Sequence, residues 1–160
     1  MAKTAPIPSG LRSLTPQLTC KDAAREIEFL KAVFGAQEIA RAIAPDGRSI
    51  WHAIVRVGDS TVFLNDEDPR TGAYAPTPDH AAHTTIWFYG PDCDAVFKRA
   101  VDAGSKVTSP MTDMFWGDRV GEIVDPQGYR WSIATHQKDM TPEELKLASD
   151  AFVKETQSGK

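Results

Sequence analysis

Apolar and polar residues alternate along this chain with two different periods, and the switches between them outline its elements. Residues 14–20 read as a short strand, and Asp22 follows as a helix N-cap. Ala23, Ile27, Leu30 and Phe34 recur at helical spacing, which gives that helix one buried stripe, and Gly35 supplies its stop. After a turn at Pro45, Asp46 and Gly47 come strand-like runs at 50–57 and 61–64, joined by a tight turn at Gly58 and Asp59. The same steps then recur. Residues 84–89 form a strand rich in β-branched and aromatic side chains, and Asp92 caps a helix with Val96, Ala100 and Val101 inward. Gly104 ends that helix. A strand at 119–124, a turn at Asp125, Pro126, Gln127 and Gly128, and a strand at 129–134 complete the second pass.

Asp22 and Asp92 stand 70 positions apart, as do Gly58 and Gly128, while Gly35 and Gly104 stand 69 apart. Cap signals and turn glycines that keep one offset point to a duplicated unit. Each unit has room for a further strand after its helix, at 37–44 and 105–111. Residues 65–82, with Asp66, Gly72, Pro76 and Pro78, read as a surface loop joining the units. The expected organisation is a flexible arm over 1–12, a first module over 13–66, a linker over 67–82, a second module over 83–137 and a tail over 138–160. In the tail, Thr141, Pro142 and Glu144 form a capping box, and Leu145, Ala148 and Phe152 predict an amphipathic helix running to about Lys154.

Composition acts mainly by exclusion. A chain of 160 residues suits one globular domain or two small halves sharing a core. No run approaches the roughly 18 apolar residues of a membrane span. With 18 Lys and Arg against 22 Asp and Glu, the net charge is -4 and there is no basic stripe, which argues against nucleic acid and anionic membranes as partners. Cys20 and Cys93 lie outside any CxxC spacing, and residues 1–14 lack the apolar core of a secretory signal, so a cytoplasmic protein with reduced thiols is expected. No nucleophile elbow, P-loop or dinucleotide fingerprint occurs.

Particular residues narrow the reading. Lys21-Asp22-Ala23-Ala24, with Phe29 and Ala32-Val33-Phe34-Gly35-Ala36, resembles the first unit of the vicinal oxygen chelate (VOC) superfamily, and Val57-Gly58-Asp59-Ser60 with Val62-Phe63-Leu64-Asn65-Asp66-Glu67 is similar to its first hairpin. This is the group of glyoxalases, extradiol dioxygenases, fosfomycin-resistance enzymes and bleomycin-binding proteins. Met114-Phe115-Trp116-Gly117-Asp118-Arg119, then Asp125-Pro126-Gln127-Gly128-Tyr129-Arg130-Trp131-Ser132, resembles the PhnB-like branch. The resemblance implies an α+β fold in which two tandem βαβββ modules form a curled mixed sheet around a cavity, here followed by a C-terminal helix, and it implies a homodimer. The superfamily's metal enzymes place His, Glu or Gln at four strand positions facing the cavity. Carried over by spacing from Asp22, Gly58, Asp92 and Gly128, those positions fall at Thr15, Phe63, Thr85 and Ser132, none of which offers imidazole or carboxylate.

Two function classes follow from that departure. In the first, the protein is a binding module with no metal cofactor. Gln17, Phe63, Trp87, Trp116 and Ser132 then supply aromatic walls and a few polar groups for a small molecule, with His52 and Thr85 beside them and Arg119 and Glu122 available to fix a charged ligand. In the second, it is a metal-dependent glyoxalase-like lyase or dioxygenase holding a divalent ion on the relocated ligands His52, His83 and Glu122. Trp87 and Trp116 suit core or dimer packing as well as ligand contact. His136 ends the last strand on the Ser132 side. No residue is assigned a catalytic role, and whether the chain is an enzyme stays open.

Overall fold

The computed structural model describes residues 4–77 and 79–158. Residues 1–3 of the expected arm, Pro78 of the linker and residues 159–160 of the tail lie outside the described residues. The chain divides into two compact units, one running to Ala82 and taking in Pro126–Tyr129, the other made of His83–Asp125 with the chain from Arg130 onward.

The first unit contains β1 (Gln17–Cys20), α1 (Ala23–Phe34), β2 (Gln37–Ile43), β3 (Ile50–Val57) and β4 (Ser60–Asp66), with sheet order β1-β4-β3-β2. The second contains β5 (Thr85–Tyr89), α2 (Cys93–Asp102), β6 (Lys106–Asp113), β7 (Asp118–Val124) and β8 (Arg130–His136), in the order β5-β8-β7-β6, followed by α3 (Pro142–Ser158). In each sheet the first strand runs parallel to the last, and the other pairs are antiparallel. The architecture is α+β, with two four-stranded mixed sheets and three α-helices among the described residues. The room left after each helix in the sequence is filled by β2 and β6.

Local chemistry explains these boundaries. Asp22 and Asp92 sit in extended backbone and each accepts the N–H three residues on, from Arg25 and Ala95, at 3.0 Å. Such caps contribute about 1 kcal/mol each. α1 stops at Gly35 with φ 67°, whereas α2 is capped by Ala103 before Gly104 takes φ 94°. Val101 is 40% exposed, against expectation, because the buried stripe of α2 runs through Cys93, Val96 and Ala100, and Val101 lies a further 100° around the helix. β4 extends to Asp66 rather than stopping at Leu64. The carboxylate of Asp66 explains this, since it accepts the N–H of Ala23 at 2.7 Å and of Ile50 at 2.6 Å and so ties the strand end to α1 and β3. In the tail, Thr141 and Glu144 exchange hydrogen bonds as a capping box.

Ile27, Leu30 and Val33 of α1 are fully buried, as are Ala53, Val55 and Leu64 on β3 and β4. Ala100, Ile123 and Ile133 play that part in the second unit. A fully buried Leu or Ile contributes roughly 1.5–3 kcal/mol, so each unit has its own apolar cluster. The turn at Pro126–Tyr129 is held within the first unit: Ala82 N–H donates to Gly128 O at 2.8 Å and Tyr129 Oη donates to Thr19 O at 2.7 Å. Gly128 has φ 93°, and the backbone of Thr77 occupies the space where its side chain would begin. Among the described residues no helix is long and apolar enough to cross a membrane.

Candidate functional site

Alternation along the strands gives each sheet a face packed on its helix and a face turned away from it. In the first unit the latter carries Gln17 and Thr19 on β1, Phe63 and Asn65 on β4, and His52 and Ile54 on β3. Gln17 and Phe63 are register partners. Gln17 Nε2 donates to Asn65 Oδ1 at 2.9 Å, and the His52 ring meets Phe63 edge-on with centroids 4.7 Å apart. Thr15 falls outside β1, before its first residue.

The corresponding face of the second unit is built differently. Trp87 on β5 is register partner to Ser132 on β8, which in turn pairs with Glu122 on β7. Ser132 is fully buried and its Oγ donates to Glu122 Oε1 at 3.2 Å. Thr85 precedes Trp87 on the same face, and Tyr89 follows it. Trp87 and Tyr89 stack with centroids 5.9 Å apart and planes 21° apart, yet they remain 47% and 55% exposed. Beside them Asp118, only 5% exposed, gathers three partners. Tyr89 Oη and Trp116 Nε1 each donate to Asp118 Oδ2 at 2.9 Å, and His136 Nδ1 lies 2.7 Å from Oδ1. The other ring nitrogen of His136 lies 3.0 Å from Asp139.

These contacts shift the groups involved. Burial opposes ionisation of Asp118, but the hydrogen bonds from His136, Tyr89 and Trp116 together hold its carboxyl below the ordinary range. His136 is raised, first by its bond to Asp118 and then by Asp139. The Tyr89 phenol is raised by partial burial and then by the adjacent carboxylate.

Residues 12–133 match the Glyoxalase/Bleomycin resistance protein/Dioxygenase superfamily. The chain belongs to this superfamily. An uncharacterized protein of Mycobacterium bovis is 38% identical over 139 residues, covering 85% of this chain and 91% of the relative. The crystal structure of TioX from Micromonospora sp. ML1 has 26% identity and a TM-score of 0.61, covering 78% of this chain and 98% of that one. A PhnB protein from Bacillus cereus, described as a putative 3-demethylubiquinone-9 3-methyltransferase, shares the fold with a TM-score of 0.62 at 14% identity, over 78% of this chain and 99% of that chain. The helix α3 lies beyond the matched stretch.

Metal chemistry in this superfamily needs oxygen or imidazole ligands converging on one ion. Register places Gln17 beside Phe63 and Trp87 beside Ser132, two residues further along than spacing placed the first and third positions. That set is one amide, two aromatic rings and a hydroxyl already bonded to a carboxylate, and it does not fit a divalent ion. His52 belongs to the first unit, where it abuts Phe63, and His83 and Glu122 belong to the second. Among the described residues no three His, Cys, Asp or Glu side chains form a group able to hold a metal.

Arg119 does not join the face of Trp87 and Ser132. It stands three residues from Glu122 on β7 and therefore on the opposite face, where Nε and Nη2 each bind Asp94 at 2.8 Å and Nη1 binds Asp113 at 3.0 Å. The bonds to Asp94 and Asp113 raise its pKa, so the guanidinium is committed to α2 and β6. Gly121 marks the same helix-side face, because a side chain there would meet the ring of Phe97. The Asp118 cluster escaped sequence reasoning. The partners of Asp118 lie 29, 2 and 18 positions away, and no local spacing joins them. A separate hollow of about 450 Å³ in the first unit contains none of the expected site residues, and its Asp46 and Asp66 carboxylates are occupied by backbone N–H groups.

Proposed function

We propose that this superfamily member is a small-molecule binding protein that holds an aromatic or amphipathic ligand against the Trp87–Tyr89 stack and works without a bound metal. The observation that carries this reading is the stack itself: two large rings, parallel to within 21° and about half exposed. Aromatic rings ordered at a surface offer a ligand a broad apolar platform at low entropic cost. Glu122, in the same cross-strand row as Trp87 and braced by the buried Ser132 hydroxyl, supplies a polar group to orient what lands there. A second copy of the chain belongs to the reading, supported by Ile39 and Ile43 on the edge strand β2, which are 53% and 45% exposed.

The test combines ligand binding with metal content on protein purified without a histidine tag. A panel of aromatic compounds should quench tryptophan fluorescence and raise the melting temperature, and Trp87→Ala should raise the Kd about tenfold, as loss of roughly 1.4 kcal/mol of stacking requires, and shrink the thermal shift. A stoichiometric metal that is lost in His52→Ala or His83→Ala would instead establish a lyase- or dioxygenase-type site on relocated ligands.

A further inference from the structure

Asp118 is held in an unusual way for a buried carboxylate. Asp66, the acid that ends β4 in the first unit, is satisfied by two backbone N–H groups. Asp118 is satisfied by side chains from three separate elements: Tyr89 from β5, Trp116 from the turn before β7, and His136 from the end of β8. The tyrosine and tryptophan bonds both end on the same oxygen, so one atom fixes the polar edges of an indole and a phenol together. His136 takes the other oxygen and sets the plane of the carboxylate. The ring contacts run on in both directions. Tyr89 stacks on Trp87, while Trp116 meets Phe115 edge-on at 5.0 Å and Phe115 meets Phe152 of α3 at 5.1 Å.

We infer that Asp118 is a positioning residue for ligand binding, fixing Tyr89 and Trp116 so that the Trp87 platform is ordered before a ligand arrives. The inference rests on the ligand reading given above. Exposed Trp and Tyr side chains otherwise sample several rotamers, and a ligand would have to order them on binding. Hydrogen bonds to an ionised carboxylate are roughly twice as strong as neutral ones, and they complete that ordering within the free protein. An apolar residue at 118 would leave the phenol and indole donors unpaired and the rings free to turn.

The test uses the full chain, with and without Nile red as a neutral aromatic probe. Asp118→Asn keeps the shape of the side chain and removes its charge. Without probe, the variant should retain its far-ultraviolet circular dichroism, weaken in its near-ultraviolet tyrosine and tryptophan bands, and show the raised tyrosine titration returning toward the ordinary range. With probe, its Kd should rise about tenfold, the change expected when a charge-assisted hydrogen bond is removed. Should Asp118→Asn not fold, Tyr89→Phe removes one donor alone and should still weaken probe binding severalfold. Folded variants with unchanged near-ultraviolet spectra and unchanged probe affinity overturn the positioning role. A wild-type protein that binds neither Nile red nor any other aromatic overturns the ligand reading instead, and the two failures are told apart because the spectra are read without ligand.

Discussion

In the first unit Gln17 sits opposite Phe63, and in the second Trp87 sits opposite Ser132, so large and small residues have changed places across the same parallel strand pair. The first unit fills its open face with Phe63, braced by His52 and by the amides of Gln17 and Asn65. The second buries a serine in the middle and raises two rings at the edge. Acids at strand ends are also used differently: Asp66, last in β4, serves the backbone, and Asp118, first in β7, serves side chains. The two modules therefore keep their helix N-caps and strand order, while the face turned from the helix is free to diverge. In this chain the divergence leaves one face filled and the other equipped with exposed rings.

The comparison can be broken hardest at the glycines. Gly128→Ala forces a side chain at φ 93° into the backbone of Thr77 and should cost more than about 2 kcal/mol by urea denaturation. Gly121 of the second unit has no such backbone constraint, and the atoms a methyl there would meet belong to the side chains of Phe97 and Met111. Gly121→Ala should cost about 1 kcal/mol as those side chains yield. Equal losses at the two sites would show the second unit to be as unyielding around its side chains as the first is around its backbone. Next in size, Asp22→Ala and Asp92→Ala should each lower stability by about 1 kcal/mol. A large difference between them would mean that the two helices, alike in capping, are unequally important to their units.

The smallest effect concerns pH and should mark the second unit. His136 is raised above its ordinary 6.5, so its contribution is complete below that value and is lost as pH rises through the raised one. Asp118 is lowered from 3.8, so its contribution is present above that value and is lost as pH falls through the lowered one. The melting temperature should therefore be highest between these limits, and His136→Gln should flatten the decline on the alkaline side. A wild-type profile identical to that of His136→Gln would remove the histidine from the account.

The elements were legible because caps, stops and apolar periods are local signals. Asp22, Gly35 and Asp92 announce helix boundaries within a few residues of where they act, and the common offset of 70 exposes the repeat. Ser132 was reached through the family resemblance, by its spacing from Gly128, and its pairing with Trp87 came only with the sheet register. What could not be read was Asp118, whose partners meet it across two strands and a turn. Arg119 shows the converse: its charge and its separation from Glu122 by three strand positions are local, but the two acids that take it up, Asp94 and Asp113, meet it only in the folded sheet. Side-chain networks between distant segments follow from register, and register is fixed only once the sheet exists.

At Gly117 the matched module and the tail that follows it are joined tightly. The N–H groups of Gln137 and Lys138 both donate to Gly117 O, and the carbonyl of Lys138 occupies the space where a side chain at 117 would start. The residue thus works as a historical marker. In a lineage that keeps the C-terminal extension, mutation at this codon should be purged. A lineage that sheds the extension loses that obstructing carbonyl, and one of the two reasons for glycine goes with it. The other reason, a φ of 96°, stays, so glycine at 117 should be kept most strictly where the tail is present.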